Sequence, residues 1–151
     1  MIKEIKKEQK GFHITISTST FIPKPHTPFE FVERADKKVL ENRINYLKKS
    51  FHKIGVDFRP SSVDWDIVQS VLSRFQGSLA DYLIDVVDNG ANLGAFKKTW
   101  REYNKKGLLT DLGECAKAPL NNIKTLEWDF IEIGVENLKK KSFKKFLVSL
   151  K

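Results

Sequence analysis

The 151-residue chain carries 27 Lys and Arg against 19 Asp and Glu, a formal net charge of +8, with 40% hydrophobic and 11% aromatic residues. That balance belongs to a globular chain long enough to bury one core, and it excludes an intrinsically disordered one. The single cysteine, Cys115, excludes an internal disulfide and any multi-cysteine metal or cluster site held by this chain alone.

In chain order, residues 1–9 read as a helix with a basic last turn that suits the helix dipole, stopped by Gly11. Ile14, Ile16, Thr18 and Thr20 then alternate with Thr15, Ser17 and Ser19, predicting a strand of about eight residues. Pro23, Pro25 and Pro28 follow, fixing φ, removing donors and pushing Ile22, Lys24 and Thr27 away from helical geometry. A stiff, extended loop is expected. Leu40, Ile44, Leu47, Phe51 and Ile54 place one apolar stripe on a helix over residues 35–53, ended by Gly55. Val56 to Arg59, between Gly55 and Pro60, reads as a second strand, giving the helix–strand–helix order of an α/β layer.

Ser61 or Ser62 can cap the next helix, whose opening Asp64 and Asp66 suit the positive end of the dipole and which runs to about Phe75. Past Gln76 and Gly77, Leu79, Tyr82, Leu83, Val86 and Val87 mark another helix, closing near Asn89 and Gly90. Phe96, Trp100 and Tyr103 form an aromatic stripe at helical spacing, expected in a core rather than around a ligand. Lys105, Lys106 and Gly107 break that helix; one more helical turn falls within residues 108–115, residues 118–125 read as loop, and residues 128–135 fit neither helix nor strand uniquely. Leu138, Phe143, Phe146, Leu147 and Leu150 among lysines make an amphipathic terminal helix. No apolar run is long enough for a membrane span and the N-terminus is charged rather than signal-like, so a cytoplasmic, membrane-free protein is expected.

The chemical motifs are sparse. There is no GxGxxG, Walker loop, HExxH or GxSxG. His13, His26 and His52 are scattered, and Cys115 has no CxxC neighbour. The exception is the proline-rich loop, which gathers Lys24, His26 and Thr27 beyond the strand; a binding surface and a structural lid both fit it.

Residues 17–29, STSTFIPKPHTPF, resemble the S-x-F-[VI]-P-K-P-H-T-P-F segment of radical S-adenosylmethionine (radical SAM) proteins of the type often fused to a cobalamin-binding-like domain. Residues 68–74, VQSVLSR, are similar to that family's E-x-V-L-S-R helix, and residues 126–135, LEWDFIEIGV, to its L-P-W-D-x-I-D-x-G-V segment. The resemblance spans about residues 12 to 147. It implies a mostly helical α/β chain. Residues 1–34 would be the end of a partial (β/α) barrel and residues 35–151 a helical post-barrel region, together one folding unit. Ser19, Lys24, His26 and Thr27 would border the cavity where S-adenosylmethionine and substrate meet, since loops at the C-terminal ends of barrel strands carry the site.

The departures matter as much. A radical SAM enzyme holds a 4Fe-4S cluster on CxxxCxxC, and this chain has one cysteine. Where the family continues L-S-R with G-D-R-R, Phe75, Gln76, Gly77 and Ser78 stand here. The resemblance therefore implies a C-terminal fragment without catalytic or metal-ligating residues of its own. It would need no cofactor alone and would be completed by a separate polypeptide bearing the cluster-binding half. A strand taken from a barrel would leave both edges unpaired, so marginal stability or self-association is expected. The alternative is a helical interaction module whose basic termini contact RNA or an acidic protein. A third reading, catalysis by His26 and Lys24, lacks a partner base.

Overall fold

A computed structural model describes residues 1–9, 11–118, 120 and 125–131. Among them the chain is mostly helical, with six helices and two parallel strands, and it divides into two compact units. The terminal amphipathic segment and most of the 118–125 loop lie outside the described residues.

The first unit comprises Met1–Thr20 and Asp36–Val63. It holds α1 (Ile2–Glu8), β1 (Thr15–Thr18), α2 (Lys37–His52) and β2 (Asp57–Pro60). Asp36 starts α2 by accepting a hydrogen bond from the Lys38 amide at 2.8 Å, filling one donor that the helix leaves orphaned. Gly55 ends it at φ +63°, a conformation that costs an L side chain about 1 kcal/mol. The chain then turns into β2, which pairs with β1 in parallel from Thr15 opposite Asp57 to Thr18 opposite Pro60. Phe51 of α2 packs on Phe58 of β2 with ring centroids 5.2 Å apart. The Lys6 ammonium donates to the carbonyls of Ile54 and Gly55, tying α1 to the turn between α2 and β2.

Two expectations need correction here. The strand has four residues rather than about eight, because β2 is confined between Gly55 and Pro60 and offers only four partners. Nor does β1 stand with both edges open, since β2 covers one of them. The α2 stripe lies where the spacing puts it, yet Leu40, Ile44, Leu47, Phe51 and Ile54 are only half-buried and α2 has no fully buried residue.

The second unit comprises Phe21–Ala35 and Asp64–Lys151. Its helices are α3 (Val63–Arg74, whose first residue closes the other unit), α4 (Ala80–Asp88), α5 (Leu93–Lys105) and α6 (Leu112–Lys117). Asn92 caps α5 through the Ala95 amide at 3.0 Å, and Asp111 caps α6 through the amides of Gly113 and Glu114. Their buried faces meet in one core: Ile67 and Val71 from α3, Tyr82 and Val86 from α4, Ala95 and Trp100 from α5, and Ala116 from α6. Of the aromatic stripe, Trp100 lies in the core, and Phe96 and Tyr103 pack partly buried against it. Trp100 is 2% exposed and meets Tyr82 and Phe75 edge to face at centroid distances of 5.2 and 6.3 Å. Three polar tips find backbone partners: the Tyr82 hydroxyl donates to the Phe96 carbonyl at 3.0 Å, the Ser70 hydroxyl to the Ala116 carbonyl at 2.8 Å, and the Trp100 indole to the Thr110 carbonyl at 2.8 Å.

Candidate functional site

The proline-rich loop belongs to the second unit, and there it is folded tightly rather than extended. Pro23 is fully buried and anchors its start. The Thr27 amide donates to the Lys24 carbonyl at 3.3 Å, closing a four-residue turn with Pro25 in second place and His26 at φ +58° in third. That is the pattern of a type II turn, in which the third position ordinarily favours glycine. His26 is held there because its amide donates to the Glu30 carboxylate at 2.8 Å, while the Thr27 hydroxyl donates to the Lys24 carbonyl at 2.8 Å. Further turns run from Thr27 to Glu30 and from Phe29 to Val32, and Phe21 and Phe29 meet edge to face at 5.5 Å. The proline rule foretells the stiffness. The reversal comes from Glu30, a residue only 3% exposed that no sequence motif marks.

The loop is fastened to the end of α3. The Lys24 ammonium donates to the Ser73 hydroxyl at 3.1 Å. One nitrogen of the Arg74 guanidinium donates to three carbonyls: Glu30 at 3.3 Å, Val32 at 3.1 Å and Ala118 at 3.4 Å. Arg74 is 5% exposed, and among the described residues it makes no ion pair. Burial lowers its pKa, and burial together with the neighbouring Arg74 charge lowers that of Lys24. Just beyond α3, the Gln76 side-chain oxygen accepts from the Glu127 amide at 3.0 Å, and the Leu126 amide donates to the Asp129 carboxylate at 2.8 Å. Residues 132–135 of the third matching segment lie outside the described residues.

The four candidate residues thus fall into two places. Lys24, His26 and Thr27 share one turn of the second unit, whereas Ser19 is exposed, one residue past β1, in the first. His13 and His52 are exposed in the first unit. The cysteine does not fit a cluster ligand: Cys115 packs against the core, and burial pushes its thiol up to about 11, so it stays protonated at neutral pH. Among the described residues no group of His, Cys, Asp and Glu side chains is arranged to hold a metal ion. Nor is any helix among them long and apolar enough to cross a membrane.

No family model and no solved structure matches the chain. It is similar to Uncharacterized protein MJ0966 of Methanocaldococcus jannaschii, with 35% identity over 99 residues, which are 65% of this chain and 21% of the relative. The chain therefore spans about a fifth of the relative it matches.

Proposed function

We propose that this chain is the C-terminal part of a radical SAM assembly, inactive alone and completed by a polypeptide carrying the cluster-binding half. The observation that carries this reading is convergence. Of the three segments on which the resemblance rests, the first two meet: the Lys24 ammonium of the proline turn donates to Ser73, and Arg74 holds the loop just beyond that turn, so the turn is fastened to the last two residues of α3. The β1–α2–β2 order with parallel pairing supports it, being the repeating unit of a (β/α) barrel, and so does a match confined to 21% of a longer relative.

The test is anaerobic reconstitution of the purified chain with iron and sulfide. The chain alone is expected to retain no brown cluster chromophore and to release no 5′-deoxyadenosine from reduced S-adenosylmethionine mixtures. Adding a CxxxCxxC polypeptide encoded beside it is expected to restore both. Cleavage by the chain alone sinks the reading, as does the absence of complex formation with such a polypeptide.

Charge favours a second reading, contact with RNA. The first unit holds 11 Lys and Arg against 5 Asp and Glu, and Lys48, Lys49 and Lys53 surround a concavity of about 450 Å³ with Asn45 and His52. Binding through these cations would release counterions, so affinity for a single-stranded RNA should fall roughly tenfold or more between about 50 and 200 mM salt. Lys-to-Gln changes at positions 48, 49 and 53 should flatten that slope. A salt-independent affinity would dismiss this reading.

A further inference from the structure

α3 has two apolar faces, and only one of them is used by the core. Ile67 and Val71 point into the cluster around Trp100. The other face, with Trp65, Val68, Gln69, Leu72 and Ser73, forms with Phe96 of α5 a groove of about 290 Å³. Trp65 and Leu72 are each 43% exposed, and the Trp65 ring meets Phe96 edge to face at 5.7 Å, so a flat aromatic wall borders the groove. The size matches the lower end of small-molecule sites, whose usual composition is an apolar lining with a few placed polar groups.

One polar group sits at the end of this lining. The Ser73 hydroxyl donates to the Ser70 carbonyl at 3.3 Å, which leaves its lone pairs to accept from the Lys24 ammonium at 3.1 Å. That ammonium has further protons to donate, and among the described residues no carboxylate pairs with it. Arg74 adds a second buried cation beside it, also without an ion pair among them. Two adjacent like charges in partly desolvated surroundings stand beside Ser73, the last residue of this lining, while the Glu30 carboxylate of the same loop is taken up by the His26 amide.

We infer that the groove between α3 and α5 binds a small amphiphilic carboxylate, its ring or chain on Trp65, Leu72 and Phe96 and its acid group on the Lys24 ammonium. The apolar floor alone would accept any flat body; the cation selects the anion. A charge-assisted hydrogen bond of this kind separates the acid from a neutral isostere by about tenfold in affinity. This site stands on the second unit alone and holds whether or not the chain belongs to a radical SAM assembly.

The test uses the full chain labelled with ¹⁵N and three probes: 4-phenylbutyrate, its neutral counterpart 4-phenylbutan-1-ol, and acetate. Phenylbutyrate is expected to shift the Trp65 indole and the amides around Leu72, Ser73 and Phe96, with the alcohol binding about tenfold more weakly and acetate not at all. Lys24→Gln keeps a donor for Ser73 and relieves the repulsion from Arg74, so the fold is preserved; it should bring the acid down to the alcohol's affinity and leave the alcohol unchanged. Trp65→Ala should weaken both. Equal affinities for acid and alcohol, or an unchanged acid affinity in Lys24→Gln, would overturn the role of the cation. Millimolar phenylbutyrate without shifts at Trp65 would overturn the site itself.

Discussion

Trp100→Ala is expected to lower the unfolding free energy by about 4 kcal/mol, a large share of the ~5–15 kcal/mol that stabilises an ordinary domain. The ring is almost fully buried and touches Phe75 just past the end of α3 and Tyr82 of α4, so its removal opens a cavity at the centre of the core. It also leaves the Thr110 carbonyl without its 2.8 Å donor. Trp100→Phe is the milder change: one ring is retained while the second ring and its N–H donor are lost, for an expected cost of about 1–2 kcal/mol. Trp65→Ala serves as the contrast. Trp65 is 43% exposed, and its loss should cost about 1 kcal/mol. Urea unfolding followed by far-ultraviolet circular dichroism measures all three. If Trp100→Ala costs no more than Trp65→Ala, the aromatic cluster is not what holds the second unit together.

How far the sequence revealed this fold depends on whether the controlling partner is local. Phe96, Trp100 and Tyr103 were legible as a core-facing stripe because a helix repeats its faces every three or four residues, and nothing outside α5 is needed to see it. The strand was legible in place but not in length. Residues 14–20 all favour extended backbone, yet pairing is limited by β2, whose ends are set by Gly55 and Pro60 some 40 residues later. The candidate site was half legible in the same sense. Prolines announced the turn that holds Lys24, His26 and Thr27, but its direction is set by Glu30 and its attachment by Ser73 and Arg74. Arg74 binds backbone carbonyls, which every residue carries, so no sequence pattern marks them. The groove did leave a trace: Trp65, Val68, Gln69, Leu72 and Ser73 follow helical spacing on a face different from that of Ile67 and Val71, making α3 apolar on two sides.

Arg74→Met should release the proline-rich loop. Two opposing effects decide its size. Burying a guanidinium without a carboxylate partner costs desolvation, and the lowered Arg74 pKa reflects that cost, so the apolar side chain recovers part of it. Against this stand the carbonyls of Glu30, Val32 and Ala118, which would lose their shared donor; the buried Glu30 carbonyl left unpaired costs about 1–3 kcal/mol, while those of Val32 and Ala118 are part-buried and can turn to water. The buried bond to Glu30 and the two part-buried ones, lost together, outweigh the recovered desolvation. The expected net loss is about 2 kcal/mol. Arg74→Lys should fare little better, since the ammonium keeps the charge but sits about one bond short of the terminal guanidinium nitrogen that donates to all three carbonyls. The local effect distinguishes a clamp from a generic core residue. Amides from Thr27 to Val32 should lose protection from hydrogen exchange in Arg74→Met, while those of α4 and α5 keep theirs. In Trp100→Ala the order reverses, with α4 and α5 opening first. Equal loss of protection across both regions would mean that Arg74 contributes only to global stability, and the turn bearing Lys24, His26 and Thr27 would then be held by Glu30 and the prolines without it.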